Sequence, residues 1–375
     1  MFNKKETSHL ILVGIFSTIL IAGIVFSYKI TFAIQEMATV VYTNMKNTMD
    51  PKAPDPGKTK PETLTIPETS KKVVVGTYLE RIENLDIKES SWSYEFYLWF
   101  KWKSNEVDIL GVKDNTHKNE LPFTIINGDI LKCDVVDHYR DTKNNIEYVQ
   151  YFVKAKNTQF FDVSLYPIDK HDLIIPIEHK WLDRTQVYFE PDTIDSKVSS
   201  RVMINGYEKK SNIKLIEKSH AYKSARGNPK FTSGYKIDFS QYRMAFSIYK
   251  GGLSVILKLF LILYVAVFVT FIAPFTTDPS RYTVAALFTT AGANYILASK
   301  LPPTNNYSLG EIINAFCVVV ILTMMALLAI LPAVIYKDGV IDSFEKKMNK
   351  IINFTVFFFF LLINTILIYV SINFS

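Results

Sequence analysis

Five apolar runs set the limits on how this chain can fold: about Leu10 to Tyr28, Leu253 to Phe275, Tyr282 to Leu301, Ile312 to Tyr336 and Ile351 to Ile372. Each is about long enough to cross a bilayer as a helix, which takes roughly 20 residues. Between the first and second run lie roughly 220 residues of mixed charge, enough for a soluble domain of their own.

The third run differs from the other four. It carries Thr283, Thr289, Thr290, Asn294 and Ser299 among small alanines. At roughly 100° per residue, Thr283, Leu287, Thr290, Asn294, Leu297 and Leu301 fall within an arc of about 80°. Polar groups at membrane depth are tolerated where they face protein or a water-filled cavity. The stripe therefore predicts a helix that lines a lumen. The alternative is a helix packed closely among its neighbours through its Ala, Gly and Thr residues.

Positive charge in short flanks orients the runs. Lys4 and Lys5 precede the first, and Lys337, Lys346, Lys347 and Lys350 lie between the fourth and fifth, so both flanks are expected inside. Five crossings then place the large domain, the loop LPPTNNYSLGE and the C-terminus outside, in a multi-pass protein of a bacterial inner membrane. The formal charge of +6 requires no nucleic-acid partner, because these flanks carry much of the excess. The two cysteines, Cys133 in the polar block and Cys317 within the fourth run, are not placed to pair, and this usage gives metal or redox chemistry no support.

The N-terminal run has the lysine-bearing start of a secretory signal, but no small-x-small cleavage site follows it. The apolar pattern continues through Ile30, Phe32, Ile34, Met37, Val40, Val41 and Met45, which favours a retained anchor helix over residues 1–50. Residues 51–72 are a proline-rich linker. Residues 73–249 read as all-β: KVVVGTYLERIENL, WSYEFYLWFKWK, EYVQYFVKAKN, LIIPIEHK, QVYFEP, NIKLIEKS and YKIDFSQYRMAF are candidate strands, with turn signals at IINGD, RDTKNN and SARGNP. Their spacing suits a sandwich. Residues 250–375 hold the remaining four runs.

FYLWFKWK (Phe96 to Lys103), YPIDKHDLIIPIE (Tyr166 to Glu178) and RYTVAALFTTAGANYILASKLPPTNNY, followed by two further apolar runs, together resemble the pentameric ligand-gated ion channels, the superfamily of nicotinic, glycine and GABA receptors, in its prokaryotic form. The resemblance covers about Val73 to the C-terminus. It implies a homopentamer in the lipid bilayer, with an immunoglobulin-like β-sandwich that binds a small molecule or protons at subunit interfaces and a four-helix domain that passes ions.

On that resemblance Thr283, Leu287, Thr290, Asn294 and Leu297 form rings along the pore, and Asp278 and Arg281 stand at its inner mouth. YPID is a coupling loop: Tyr166, Pro167 and Ile168 meet Pro302 and its neighbours in LPPT, Asp169 pairs with Arg243, and Asp86 lies at the same junction. Tyr97, Trp181, Tyr222 and Phe231 are the aromatic ligand candidates, able to hold a cationic amine. No catalytic residue, metal or cofactor is implied.

The sequence departs from the family in several places. The first channel helix lacks its midway proline and carries Lys258, the hydrophobic ring expected at the pore centre falls on Thr290, or on Leu287 or Ala291 in a shifted register, and the N-terminal helix is additional. Asp278 favours cations at the mouth whereas the PSR segment resembles the anion-selective members, so the permeant ion stays open. These departures sustain a second reading, a non-conducting sensor of the same fold that signals through its N-terminal helix. An enzyme finds no support: His138, His171, His179 and His220 are scattered, and no nucleophile or phosphate-loop motif is present.

Overall fold

The computed structural model describes residues 4–54, 65–110, 120–222, 237–250, 252–303, 306–335 and 343–374. The chain divides into a helical unit of Met1–Val41, Asp162–Asp169 and Gly251–Ser375, and a strand unit of Tyr42–Phe161 and Lys170–Lys250.

In the strand unit all seven predicted strands form: β1 (Lys71–Asp86), β2 (Ser91–Lys103), β5 (Ile146–Thr158), β6 (Lys170–His179), β7 (Val187–Pro191), β9 (Glu208–Tyr222) and β10 (Ile237–Tyr249). Three more appear, the short β3 (Phe123–Ile125) and β8 (Lys197–Val198) and the long β4 (Gly128–Asp141). β4 escaped the sequence reading because it has no buried face to impose an apolar period. It is an edge strand, and Leu131, Val135, Val136 and Tyr139 on it are all exposed. The turns that flank it were legible, since Asn127 of IINGD and Asn145 of RDTKNN take positive φ of 56° and 54°, a conformation asparagine tolerates. SARGNP lies outside the described residues.

The strands form two sheets. Sheet A runs β4-β5-β2-β1-β7 with β8 also on β1, and is mixed because β7 and β8 pair with β1 in parallel. Sheet B is antiparallel, in the order β3-β6-β10-β9. Alternation decides which side chains meet: Trp92, Tyr94, Phe96, Leu98 and Phe100 of β2 join Leu173, Ile175, Ile177, Tyr242, Met244 and Phe246 of sheet B in one buried cluster.

The helical unit comprises most of α1 (Lys4–Thr48) with α2 (Gly252–Ile272), α3 (Pro279–Lys300), α4 (Leu309–Ile335) and α5 (Ser343–Phe374). Among the described residues, α1, α2, α4 and α5 are long and apolar enough to cross a membrane, as a multi-pass membrane protein requires. α3 is about as long as α2 but keeps the hydroxyls and amide noted above.

Candidate functional site

The polar stripe on α3 is largely the packed face of that helix within its own chain. Thr283, Ala286, Thr290 and Leu297 are buried, Leu287 is half-buried and Asn294 is exposed. The threonine hydroxyls need no lumen water, because they turn back onto the helix backbone: Thr283 Oγ1 donates to the Ser280 carbonyl at 3.0 Å and Thr290 Oγ1 to that of Leu287 at 2.7 Å. Small and self-satisfied side chains permit close helix packing. Leu297 sits where a Cβ on Gly310 of α4 would come within 3.2 Å of it. Within the chain, Thr283, Thr290 and Leu297 thus lie on the packed side of α3 and Asn294 on its exposed side. The free face carries Arg281, Ala285, Phe288, Gly292, Tyr295 and Ser299. At the end of α3, Asp278 and Arg281 are both exposed, and Asp278 Oδ1 accepts from Ser280 Oγ at 2.9 Å.

The segment Asp162–Asp169 belongs to the helical unit although the strands on either side of it do not. Its Tyr166–Pro167 peptide bond is cis, and Tyr166, Ile168 and Asp169 are buried. Two of its carbonyls accept from the first turn of α4: the Leu309 amide donates to Ser164 O at 2.7 Å and the Gly310 amide to Tyr166 O at 2.9 Å. Helix N-termini leave such amides without partners inside the helix, so the loop completes α4. Ser308 and Glu311 finish the same end as a capping box, with Ser308 N donating to Glu311 Oε2 at 2.7 Å and Glu311 N to Ser308 Oγ at 3.2 Å. Ile168 lies in one buried cluster with α2 and α4 residues. Pro302 is half-buried, and Thr304 of the expected contact LPPT lies outside the described residues.

Arg243 sits in the middle of β10, where Nε and Nη2 donate to Gln241 Oε1 at 2.9 and 2.7 Å and Nη1 to the Thr48 carbonyl at 2.8 Å. Asp86 holds a turn by accepting from the Glu89 amide at 3.0 Å.

The aromatic candidates separate between the sheets. Tyr97 is half-buried on the outer face of sheet A, its ring 5.1 Å from that of Phe152. Trp181 and Tyr222 accompany sheet B. The Trp181 ring stands edge-on to His179 at 5.0 Å, and Tyr222 OH donates to Glu178 Oε2 at 2.9 Å. Phe231 lies outside the described residues. Glu178 is almost fully buried, also accepts from Gln241 Nε2, and has its carboxyl pKa raised above the ordinary 4.5 by that burial. His179 accepts from the Leu182 amide on Nδ1 at 3.0 Å, so its proton is on Nε2 and directed to Ile109 O at 3.1 Å.

The sequence reading missed an open depression of about 480 Å³ on the outer face of sheet A, lined by Trp99, Tyr139, Asp141, Tyr148, Asp192 and Asp195 among others. Trp99 packs against Gly76, its cross-strand partner, where a Cβ would fall 2.2 Å from the indole. Trp99 Nε1 donates to Asp192 Oδ2 at 3.1 Å. The Asp141 carboxylate accepts from Asn144 Nδ2 at 2.7 Å, which with the Asn144 amide holds its pKa below the ordinary 3.8. Three carboxylates and three aromatic rings, against the single cation Lys101, leave the depression net acidic and suit a cationic, amine-bearing ligand. The signal was available in the sequence, as Trp99 is two residues from Tyr97 on the same strand face, but Asp192 and Asp195 are distant in sequence and only folding brings them to β2.

Compared with protein-family models and with curated proteins, the chain matches none.

Proposed function

We propose that the chain is one subunit of a homopentameric, ligand-gated ion channel whose β-sandwich lies outside the membrane and whose helices pass ions. The observation that carries this reading is the Asp162–Asp169 segment. It leaves the strand unit between β5 and β6, accepts the Leu309 and Gly310 amides of the first turn of α4 on its carbonyls, and so meets the chain just after α3. A change of strand position has a bonded path to the helices there. The ligand class is a small amine, received at the aromatic and acidic depression on sheet A and completed in the assembly by Trp181 and Tyr222 of the neighbouring copy. In this reading the lumen takes the free face of α3.

The packed stripe on α3 favours a second reading, a non-conducting receptor of the same fold. Two measurements decide. Class averages of detergent-purified protein are expected to show fivefold particles with a soluble crown, and a monomer or dimer would sink the channel. Current recorded from reconstituted fivefold particles across amines and pH supports conduction, and its absence from well-folded pentamers transfers the protein to the receptor class.

A further inference from the structure

α1 begins in the helical unit and ends in the strand unit as one uninterrupted helix, and it is tied at both ends. At its inner end Ser8 Oγ donates to Glu345 Oε1 of α5 at 2.8 Å, and the His9 and Phe344 rings lie 4.3 Å apart. Farther along, Gly23 meets the Phe359 ring so closely that a Cβ would fall 2.7 Å from it, and Phe26 stacks on Phe316 of α4 at 5.5 Å. Ile30 and Ile34 then enter the buried cluster that contains Ile168.

The other end of α1 lies against sheet B. Gln241 and Arg243 alternate with core residues Tyr242 and Met244, so they project from the opposite face of the sheet. On an uncovered sheet that face would be wet, yet Gln241, Arg243 and Lys218 are 1%, 6% and 1% exposed. Lys218 Nζ donates to the Asn47 carbonyl at 2.8 Å and Arg243 Nη1 to the Thr48 carbonyl at 2.8 Å. Two buried cations thus meet the carbonyl end of α1, where the unsatisfied acceptors and the negative pole of the helix lie.

We infer that α1 is a coupling strut: movement of β9 and β10 is carried through the Lys218 and Arg243 clamp along α1 to α4 and α5, in parallel with the Asp162–Asp169 loop. A helix held by side chains at both ends transmits displacement because its own hydrogen bonds resist stretching. Strand β9 ends at Tyr222, one of the aromatic ligand candidates, so the strut starts on a strand that a ligand can move.

The test uses full-length protein in lipid nanodiscs with fluorinated phenylalanine at position 359, next to Gly23. The pair of substitutions Lys218→Met and Arg243→Met is expected to speed amide exchange at residues 42–48 by roughly tenfold or more and to shift or split the fluorine resonance. Inserting Gly-Gly-Ser-Gly after the exposed Thr43 is expected to move the resonance while β9 and β10 stay protected, and to make it insensitive to the paired substitutions. Faster exchange with an unmoved resonance would overturn the strut, as would unchanged exchange. Should the paired variant not fold, the insertion alone decides, since it alters no sheet residue. The inference rests on a signal passing from strands to helices, but this resonance needs neither ligand nor current. Loss of the channel reading by symmetry or recording would leave the measurement intact.

Discussion

The amide of Gly310 donates to the carbonyl of Tyr166 at 2.9 Å, so the first turn of α4 is completed by a loop more than a hundred residues earlier in the chain. Any force on that loop acts on the helix start. The bond is made by backbone groups, so side-chain substitution in YPID can alter its surroundings without removing it.

Ser308→Ala should cost about 1 kcal/mol of stability, the usual loss for a helix N-cap, and should speed exchange of the Leu309 and Gly310 amides. Ser308→Asp, which keeps an acceptor at the cap, should behave like the parent. Denaturant unfolding and hydrogen exchange on the full-length protein check both, and equal protection in the alanine variant would mean the loop alone fixes the helix start.

In a Cys133→Ser background, Asn294→Cys should react with a maleimide roughly tenfold or more faster than Thr290→Cys, because access controls thiol labelling. The background removes the half-buried Cys133 thiol, and the remaining Cys317 is buried within α4. Equal rates at the two positions would return Thr290 to a water-facing role.

Gly76→Ala should destabilise the strand unit by about 1–3 kcal/mol, since overpacking forces side chains from their places. It should also swing Trp99 away from Asp192 and weaken binding of a quaternary ammonium probe. Calorimetric titration of the purified protein reads the second effect, and retained binding with a displaced indole would remove Trp99 from the ligand site.

Burial raises the folded pKa of Glu178, so this group contributes stability that is full below the ordinary 4.5 and lost as pH rises through the raised value. Glu178→Gln should therefore flatten the stability profile just above pH 4.5. Thermal unfolding of both proteins across that interval checks it, and parallel curves would show that the Tyr222 and Gln241 hydrogen bonds offset the burial.

Apolar pattern alone determined a good deal of this protein. The period of two in WSYEFYLWFKWK placed β2, and continuous apolar runs located α1, α2, α4 and α5, although the capped start of α4 at Ser308 to Glu311 was read only as loop. These are local signals, set by a backbone period and by continuous apolar length. Pairing decided the remainder. A stripe of Thr283, Thr290 and Leu297 has the same angular spacing whether it faces water or a neighbouring helix, and only packing such as that of Leu297 against Gly310 of α4 distinguishes the two. Arg243 likewise has the composition of a membrane-junction cation, yet its strand register sets it against the carbonyl end of α1, some 195 residues away in sequence. Long-range contacts are fixed by which surfaces can exclude water together, a property of the assembled chain that no local window contains.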